Sequence, residues 1–436
     1  MARVLDQPRY KCALGAMNTV QSIPNAIPIL HSGPGCASKL SGFAGSSGKF
    51  SPNLFPCTSV SEKEVVFGGS DKLRDTIANA LKVIDAQLFV VLSGCTSELI
   101  GDDIGEVAGE FRRDGKPVVY ANTPGFKGSN YEGHGWVLQA VFDQYLPAAD
   151  TVTAKQTGFV NIFAGPPQAD PYWHGNLREL EKLVASLGLT PNTIFGYGRG
   201  VPSLDRLPYA EFNLLVSPWV GLDALEFLSK KYGTPLLHYP VLPVGAFETS
   251  AFLRAVGEFT GVSKATVQSV IDENEKEYYY FIERYADMFL EMRIISKRFS
   301  IIGDAQYALA FTKFLVNDLG MFPTTSYITD RTPEQYRPLI LDEFRRLNYG
   351  IEADAEFLTD GYEIHRRVRE KDFNGFPLII GGSWDKALAN DLKGNYVNLL
   401  NPILEKLIIN SHVAGYSGGL KMLEEIYTAG LSRLIL

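Results

Sequence analysis

Short apolar runs alternate along the chain with longer segments whose apolar residues recur every three or four positions. Apolar runs of about four to eight residues are typical of buried parallel strands, and the longer spacing is typical of amphipathic helices. The predicted strands are AQLFVVLSG (86–94), KPVVYANT (116–123), GFVNIFAG (158–165), TIFGYG (193–198), FNLLVSP (212–218), RFSIIGD (298–304) and FPLIIGGS (376–383). The predicted helices include 71–84, 175–189 and 304–320. This alternation predicts an α/β fold with parallel sheets.

Three blocks of strands and helices are predicted, with boundaries at 1–155, 156–290 and 291–436. An acidic, tyrosine-rich helix at 271–295 is expected to link the last two blocks. Several strands end in glycine, and folds of this class bind ligands and form interfaces beyond the carboxyl edge of the sheet. We therefore expect the functional residues at strand ends.

The composition narrows the class of protein. The 436 residues suggest about three domains, and 45% of them are hydrophobic, which is enough for large cores. The net charge of −8 disfavours a nucleic-acid partner. No apolar run is long enough to span a membrane, and the start of the chain lacks the pattern of a secretory signal. We expect a cytoplasmic protein. Because thiols stay reduced in the cytoplasm, metal binding or redox chemistry is favoured over a structural disulfide for its cysteines.

The four cysteines, Cys12, Cys36, Cys57 and Cys95, all lie in the first quarter of the chain. Cys36 ends HSGPGC, whose glycines permit a tight turn and a close backbone approach. Cys95 follows an apolar strand and precedes a predicted helix, whose N-terminus would stabilise negative charge on the thiol. The absence of a C-x-x-C pair disfavours a zinc ribbon or a ferredoxin-type loop.

These residues alone leave two interpretations open. The thiols either ligate an iron–sulfur cluster or are inert buried side chains, as free cysteines often are. Three thiolates are an awkward number for a complete cuboidal cluster, and a partner chain is one source of the missing ligands. Cys57 lacks flanking glycines and is the cysteine best explained as an ordinary buried thiol.

Other polar motifs have simpler explanations. The carboxylates Glu98, Asp102 and Asp103 follow Cys95 and are best explained by the helix N-terminus, although they could also tune a bound cluster or tether a subunit interface. The stretch FGYGRGVPS (195–203) lacks the Lys-Ser/Thr pair of a phosphate-binding loop, so nucleotide binding is not expected there.

Four motifs, in order, resemble the β-type subunit of the nitrogenase component 1 family: CALGAMNTVQSIPNAIPILHSGPGC, SEKEVVFGG, SGCTSELIGDD and ANTPGFKGS. Segments 234–256, 297–320 and 412–426 resemble later parts of the same subunit, so the resemblance covers nearly the whole chain. It implies three Rossmann-like domains with parallel sheets flanked by helices. It also implies a homologous α-type partner subunit and an α2β2 heterotetramer.

The resemblance further implies a ligand set. Cys12, Cys36 and Cys95 would hold half of a P-cluster-type [8Fe-7S] iron–sulfur cluster, and the α-type subunit would supply the other three thiolates. Phe67 matches the family's docking residue for an ATP-dependent, homodimeric [4Fe-4S] iron protein. The residues expected around the cluster are His31, Gly35, Gly94, Glu98 and Gly125, with His31 supporting the turn that positions Cys36.

The substrate chemistry is expected in the partner. The family's active-site metallocluster is held by a late cysteine and histidine of the α-type subunit, whereas this chain has no cysteine after Cys95. His365 and His412 therefore lack a thiol partner, and His412 is better explained as a satisfied polar residue near a helix start. The implied role is electron relay from the iron protein to the partner's metallocluster, with no catalytic residue in this chain.

Departures from the family pattern bear on the substrate. Gly125 stands where the nitrogenase β subunit often has a serine that can ligate iron, HSGPGC differs from the usual HGSQGC, and the long N-terminal extension of the molybdenum enzyme is absent. These features favour a nitrogenase-like methylthio-alkane reductase. The alternatives are an alternative nitrogenase that reduces dinitrogen, a non-catalytic scaffold for cofactor maturation, and a sugar- or nucleotide-binding protein with inert thiols. The dark-operative chlorophyll-type reductases divide the cluster ligands differently and match less well.

Overall fold

The computed structural model describes residues 8–41, 55–152, 154–292 and 295–435. Its strands are β1 (Ala26–His31), β2 (Leu88–Ser93), β3 (Val118–Ala121), β4 (Gln156–Phe163), β5 (Thr190–Asn192), β6 (Ala210–Val216), β7 (Leu236–Tyr239), β8 (Arg298–Gly303), β9 (Phe322–Pro323), β10 (Thr325–Ile328), β11 (Asp354–Phe357), β12 (Leu378–Gly381) and β13 (Asn395–Asn398). All pairings among these strands are parallel.

The strands form three sheets. Their orders are β1-β2-β3, then β5-β4-β6-β7, and then β11-β10-β8-β12-β13 with β9 beside β8. In the first sheet, Ala26 pairs with Leu88 and Phe89 pairs with Val118, so the carboxyl ends of the three strands lie at one edge.

Helices flank these sheets, which confirms the predicted α/β class. They are α1 (Met17–Gln21), α2 (Pro34–Ser41), α3 (Glu62–Phe67), α4 (Ser70–Val83), α5 (Cys95–Ile100), α6 (Ile104–Arg113), α7 (Asn130–Gln144), α8 (Trp173–Ser186), α9 (Val201–Leu204), α10 (Leu222–Tyr232), α11 (Gly245–Thr260), α12 (Lys264–Met292), α13 (Ala305–Asn317), α14 (Arg337–Arg345), α15 (Gly361–Arg369), α16 (Lys386–Asp391) and α17 (Gly415–Ile435). The three predicted helices correspond to α4, α8 and α13. The predicted acidic helix is α12, which begins earlier, at Lys264; residues 293 and 294 lie outside the described ranges.

Six of the seven predicted strands are present, and the strand predicted at 193–198 is wrong. The strand in that region is β5, which ends at Asn192. Gly196 and Gly198 have φ values of 91° and 75°, which are not compatible with a strand. The pattern also missed β1, which Pro28 interrupts; this strand pairs with β2 on one side.

Each sheet lies within one of the three predicted blocks, but the core is continuous across them. Helix α17, from the last block, packs against α11 and α12. Helix α13 is buried along its whole length. The exact boundaries at 155 and 290 remain predictions. Within the described ranges, no helix has the length and apolar character needed to span a bilayer.

Candidate functional site

Three cysteines lie on separate turns near the carboxyl edge of the first sheet. Cys95 is the first residue of α5 and follows β2 almost directly. Cys36 lies in the first turn of α2, just after β1. Cys12 precedes a short 3-10 turn at Ala13–Ala16 and pairs in an isolated antiparallel bridge with Ser129. Because parallel strands end at one edge, the positions predicted from separate motifs meet there.

Gly125, in the loop after β3, is the point at which two of these thiols converge. A Cβ placed on Gly125 would lie 2.9 Å from the Cβ of Cys12 and 3.1 Å from the Sγ atoms of both Cys12 and Cys95. The two sulfurs are therefore no farther apart than twice that distance. A side chain at position 125 would compete with the sulfurs for this space, so the glycine allows the close approach.

The thiols influence one another electrostatically. Burial raises the pKa of the Cys12 thiol, and the neighbouring Cys95 and Cys36 raise it further, while backbone N–H groups of Leu14 and Gly15 partly oppose this. Mutual repulsion of this kind disfavours free thiolates, and a cationic metal among them would relieve it. Lys11 lies beside Cys12; burial lowers the pKa of its ammonium group, and Cys12 acts in the opposite direction.

The donors at this edge are thiols, which as thiolates are the ligands of iron–sulfur clusters. All four cysteines are free thiols. Among residues 8–41, 55–152, 154–292 and 295–435, no three His, Cys, Asp or Glu side chains are grouped closely enough to hold one metal ion. An iron–sulfur cluster interposes iron and sulfide atoms between its thiolates, which lets the thiolates stand farther apart.

Helix α7 holds the turn that carries Cys12. The N–H of Lys11 donates to Oδ1 of Asn130 (2.7 Å), and the N–H of Asn130 donates to the carbonyl of Lys11 (2.9 Å). A Cβ on Gly133, one turn along α7, would lie 2.5 Å from the carbonyl oxygen of Ala13. Only glycine permits this contact, which presses α7 onto the Cys12 turn.

The segment before Cys12 is anchored to the third sheet. The guanidinium of Arg9 makes two hydrogen bonds of 2.5 and 2.6 Å to the fully buried carboxylate of Asp385. Nε2 of His365 lies 2.8 Å from Oδ1 of the same carboxylate. Since Asp385 lies just beyond the carboxyl end of β12, this contact fixes the N-terminal segment across two sheets.

Backbone contacts with His31 hold the Cys95 turn. The N–H of Gly94 (2.9 Å) and the hydroxyl of Ser97 (2.7 Å) both donate to the carbonyl of His31. A Cβ on Gly94 would lie 2.3 Å from Oγ of Ser32, so this position also excludes a side chain. The ends of β1 and β2 are thereby locked together at Cys95.

Glu98 connects the Cys95 helix to the Gly125 loop. Its Oε1 accepts from Oγ of Ser93 (2.6 Å), and its Oε2 lies 3.4 Å from Nζ of Lys127. The N–H of Thr123 donates to the same Ser93 hydroxyl (2.9 Å). Glu98 therefore does more than occupy the first turn of a helix. Asp103 caps α6 by accepting from the N–H of Glu106 (2.9 Å), which is the helix-terminal role predicted for these carboxylates.

The side chain of His31 is fully buried, and both of its ring nitrogens have partners. Its Nε2 lies 2.9 Å from Oδ2 of Asp102, and its Nδ1 lies 3.1 Å from Oγ1 of Thr58. Burial lowers the pKa of His31, partly offset by Asp102, so the ring is neutral near pH 7. Asp102 also accepts from the N–H of Gly69 (2.8 Å) and does not cap a helix, unlike Asp103.

Cys57 and Gly35 occupy different surroundings. Cys57 lies on a segment that runs beside β1, where its Sγ is 3.5 Å from the carbonyl of Ser32 and accepts from the N–H of Ser59 at 3.3 Å. A Cβ on Gly35 would meet no described atom within 4 Å. Among the described residues, nothing occupies the space beside Gly35.

Exposed apolar side chains lie on the same segments as the thiols and on α3. Leu99 on α5 is 77% exposed, Phe126 beside Gly125 is 52% exposed, and Phe67 at the end of α3 is 83% exposed. Apolar side chains grouped at a surface mark contact sites for other molecules. Leu99 and Phe126 flank the thiols, whereas Phe67 lies beyond Asp102. The late histidines have other partners: His365 contacts Asp385, and His412 lies 3.0 Å from Ser417 at the beginning of α17.

A sequence model of the family described as Nitrogenase component 1 type Oxidoreductase matches residues 12–430. The chain belongs to this family. The resemblance inferred from the cysteine motifs is confirmed, including its β-type character, because the curated relatives are β chains.

This nitrogenase component 1 chain is similar to β chains of nitrogenase molybdenum-iron proteins. It is 24% identical to that of Clostridium pasteurianum, over 97% of this chain and 92% of the relative. It is also 24% identical to that of Methanococcus maripaludis, over 95% of this chain and 91% of the relative. A solved structure described as nitrogenase Cp1 at pH 6.5 superposes with a TM-score of 0.79 at 20% identity, over 100% of this chain and 95% of that chain. The superposition shows a shared fold.

Sequence reasoning missed the residues that hold the thiols in place, namely Arg9, Ser97, Asn130 and Gly133. One signal was available for the last two. Ser129 and Glu132 have the spacing of a capping box, and Glu132 accepts from the N–H of Ser129 (2.7 Å), so the start of α7 beside Cys12 could have been predicted. The other contacts join residues far apart in the chain.

Proposed function

We propose that this chain is the β-type subunit of a nitrogenase-like reductase and that Cys12, Cys36 and Cys95 hold half of a P-cluster-type [8Fe-7S] cluster. The homologous α-type subunit of an α2β2 heterotetramer supplies the remaining thiolates and carries the active-site metallocluster. Electrons come from an ATP-dependent, homodimeric [4Fe-4S] iron protein, which docks at Phe67. This subunit takes part in electron transfer and holds no substrate.

The observation that carries the proposal is the convergence of the Cys12 and Cys95 sulfurs on Gly125. The family membership supports it, as does the exposed apolar surface formed by Leu99 and Phe126 beside the thiols. A group shared between two chains requires an open face, and the space beside Gly35 is empty as far as the described residues show.

When bound, a cluster of this kind supplies one-electron storage and transfer. The protein's own groups prepare the site. The glycines at 94 and 125 leave room at the sulfurs, and Glu98 holds the Gly125 loop against α5. Two hydrogen bonds between Lys11 and Asn130, one accepted by the Asn130 side chain and one between the two backbones, fix the Cys12 turn. Lys11 places positive charge beside Cys12, which favours the thiolate needed for ligation.

The test is iron content. The chain is co-expressed with its α-type partner, purified without oxygen, and analysed for iron per heterodimer. Replacing all three cysteines should remove about eight irons per heterodimer, in addition to which the partner's metallocluster has its own iron, whereas the same change in a maturation scaffold with a simpler cluster would remove about four. Cys12→Ala, Cys36→Ala and Cys95→Ala should each lower the iron content.

Cys57→Ala is the matched control, because the described hydrogen bonds of the Cys57 thiol go to the backbones of Ser32 and Ser59. We expect it to leave the iron content unchanged. Iron-free wild-type protein, or full iron content in the protein with all three proposed ligands replaced, would contradict the proposal and favour inert thiols.

For the substrate, we propose methylthio-alkanes. The support is Gly125, which stands where the nitrogenase β subunit often has a serine, together with the other departures in the Cys36 motif. The purified complex, supplied with its iron protein, ATP and a reductant, should release methane or ethylene from methylthio compounds. Ammonia formation from dinitrogen without such release would instead assign it as an alternative nitrogenase.

A further inference from the structure

A connection made of hydrogen bonds to the ring and to the carbonyl of His31 joins the segment after α3 to the turn that carries Cys95. It begins at Gly69, two residues after the exposed Phe67, where the backbone N–H donates to Oδ1 of Asp102. It continues from Oδ2 of Asp102 to Nε2 of His31 (2.9 Å). It ends at the carbonyl of His31, which accepts from Gly94 and Ser97 on the Cys95 turn.

The direction of these hydrogen bonds follows from the charges. The His31 ring is neutral, and its Nε2 faces a carboxylate that can only accept, so Nε2 carries the hydrogen and Nδ1 accepts from the Thr58 hydroxyl. Asp102 thus accepts from two donors through two different oxygens. An asparagine at position 102 has one carbonyl oxygen and one NH2 group, so it could satisfy only one of the two donors.

Packing makes this connection short and stiff. A Cβ on Gly69 would lie 2.8 Å from Oδ2 of Asp102 and 3.0 Å from Cε1 of His31, so the backbone of Gly69 rests directly on the pair. His31 is fully buried, and the side chain of Asp102 is 4% exposed. A displacement of Gly69 should therefore move His31 as well, because neither solvent nor a change of rotamer can take up the movement in such a closely packed place.

We propose that Asp102 and His31 are positioning residues that couple the docking end of α3 to the backbone around Cys95. The inference rests on the proposed function, in which the iron protein contacts Phe67 and Cys95 ligates the shared cluster. Contact at Phe67 is transmitted through Gly69, Asp102 and His31 to the hydrogen bonds at Gly94 and Ser97. The partner that exerts the contact is the iron protein that serves this complex.

The experiment is hydrogen–deuterium exchange on the complex with its α-type subunit, read by mass spectrometry in peptides that cover 66–72 and 93–99. Asp102→Asn should speed exchange about tenfold in both peptides, because it removes one of two hydrogen bonds to a buried charge. Asp103→Asn is the matched control. It changes the adjacent carboxylate, whose contact is the cap of α6, and should leave both peptides unchanged.

A second variant perturbs the connection from the other end. Gly69→Ala leaves Asp102 in place but presses a methyl group against it, and it should speed exchange at 93–99 as well as at 66–72. If either variant alters 66–72 while 93–99 keeps wild-type exchange, the coupling is absent and the inference is overturned.

Addition of the iron protein completes the test. In the wild-type complex, binding of the iron protein should slow exchange in both peptides. In the Asp102→Asn complex, it should slow exchange only in 66–72. Slowing at 93–99 that persists in Asp102→Asn overturns the inference. Failure of the proposed function has a different signature. It would appear as a wild-type complex that contains no iron, or as an iron protein that never slows exchange in 66–72. Neither result affects the comparison of the wild type with the variants in the absence of the iron protein.

Discussion

Gly94 and Gly125 are the two positions at the first sheet where a missing Cβ decides how closely the chain packs around the thiols. At Gly94 the space is taken by Ser32, and at Gly125 it is taken by the sulfurs of Cys12 and Cys95. The φ value of Gly94 is −95°, so its requirement for glycine comes from close approach and not from backbone conformation. At the residue scale, the site therefore depends on the absence of a side chain at these two positions.

Gly125→Ala should lower the amount of iron bound. The new methyl group would stand 3.1 Å from both sulfurs, so at least one must move by a few tenths of an ångström. We expect measurably less iron per heterodimer and an altered electron paramagnetic resonance spectrum, with the chain still folded. Gly109→Ala, on α6, is the control, because its Cβ would meet only an ordinary contact of 3.5 Å with Arg113. Equal iron content in the two variants would show that a methyl group at position 125 does not crowd the sulfurs.

At the scale of elements, α7 supports the turn that carries Cys12, whereas α3 exposes apolar side chains. Helix α7 is packed tightly against the Cys12 turn at Gly133, whereas α3 presents Val66 and Phe67 to solvent. Helix α3 begins at Glu62 with Ser61 as its N-cap, and the N–H and hydroxyl of Ser61 both donate to Glu64 (2.8 and 2.6 Å). A short helix held by its own cap can display an apolar end without burying it.

Gly133→Ala should destabilise the protein by about 1–3 kcal/mol, because its Cβ would overlap the carbonyl of Ala13 and the methyl of Ala16. Gly135→Ala, in the same helix, is the control. Its Cβ would come no closer than 4.0 Å to Gly221, and alanine is the better helix former by about 0.5–1 kcal/mol. Urea unfolding should therefore move the two midpoints in opposite directions. A stabilised Gly133→Ala protein would contradict the close approach of α7.

Phe67→Ala should weaken binding of the iron protein by about tenfold or more, since burying a phenylalanine side chain contributes roughly 1.5–3 kcal/mol. The dissociation constant for the iron protein is the quantity to measure. Val83→Ala is the control, because Val83 is equally exposed, at 83%, but lies at the far end of α4. Equal losses in the two variants would mean that the docking surface is not centred on Phe67.

At the scale of the whole molecule, the second and third sheets meet at three buried carboxylates. Asp170, Asp304 and Asp330 follow β4, β8 and β10, and Tyr131 of α7 lies beside them in a cavity lined also by Trp219 and Gln306. Asp330 accepts from the N–H of Ala305 (3.0 Å) and from Nε1 of Trp219 (3.1 Å). Burial, and then the charge of Asp330, raise the pKa of Asp304 to about 8.

This raised pKa predicts a loss of stability as pH rises. An unfolded aspartate releases its proton near its ordinary pKa of 3.8, whereas folded Asp304 keeps its proton up to about pH 8. Between those values the folded state binds more protons, so the free energy of unfolding falls with increasing pH. Asp304→Asn should flatten this decline, and asparagine keeps the cap on α13 that Asp304 provides through the N–H of Tyr307.

Urea unfolding at about pH 5 and about pH 8 measures the effect. The wild-type protein should lose more stability between these values than Asp304→Asn does. Asp318, whose pKa burial raises to about 7, contributes a similar decline to both proteins. Asp75→Asn, an exposed change on α4, should behave as the wild type. Identical slopes in wild type and Asp304→Asn would show that Asp304 is ionised in the folded protein.

The sequence by itself determined the fold class, six of the predicted strands and the family, because buried strands and amphipathic helices follow local patterns of apolar residues and the cysteine motifs are specific as an ordered set. It failed at 193–198, where the apolar content resembles a strand but Gly196 and Gly198 turn the chain. Only the tertiary structure decided that Cys12 and Cys95 meet at Gly125, that Asp102 joins Gly69 to His31, and that Arg9 reaches Asp385. These contacts link residues far apart in the chain, and their distances depend on how three sheets pack, which no local pattern encodes.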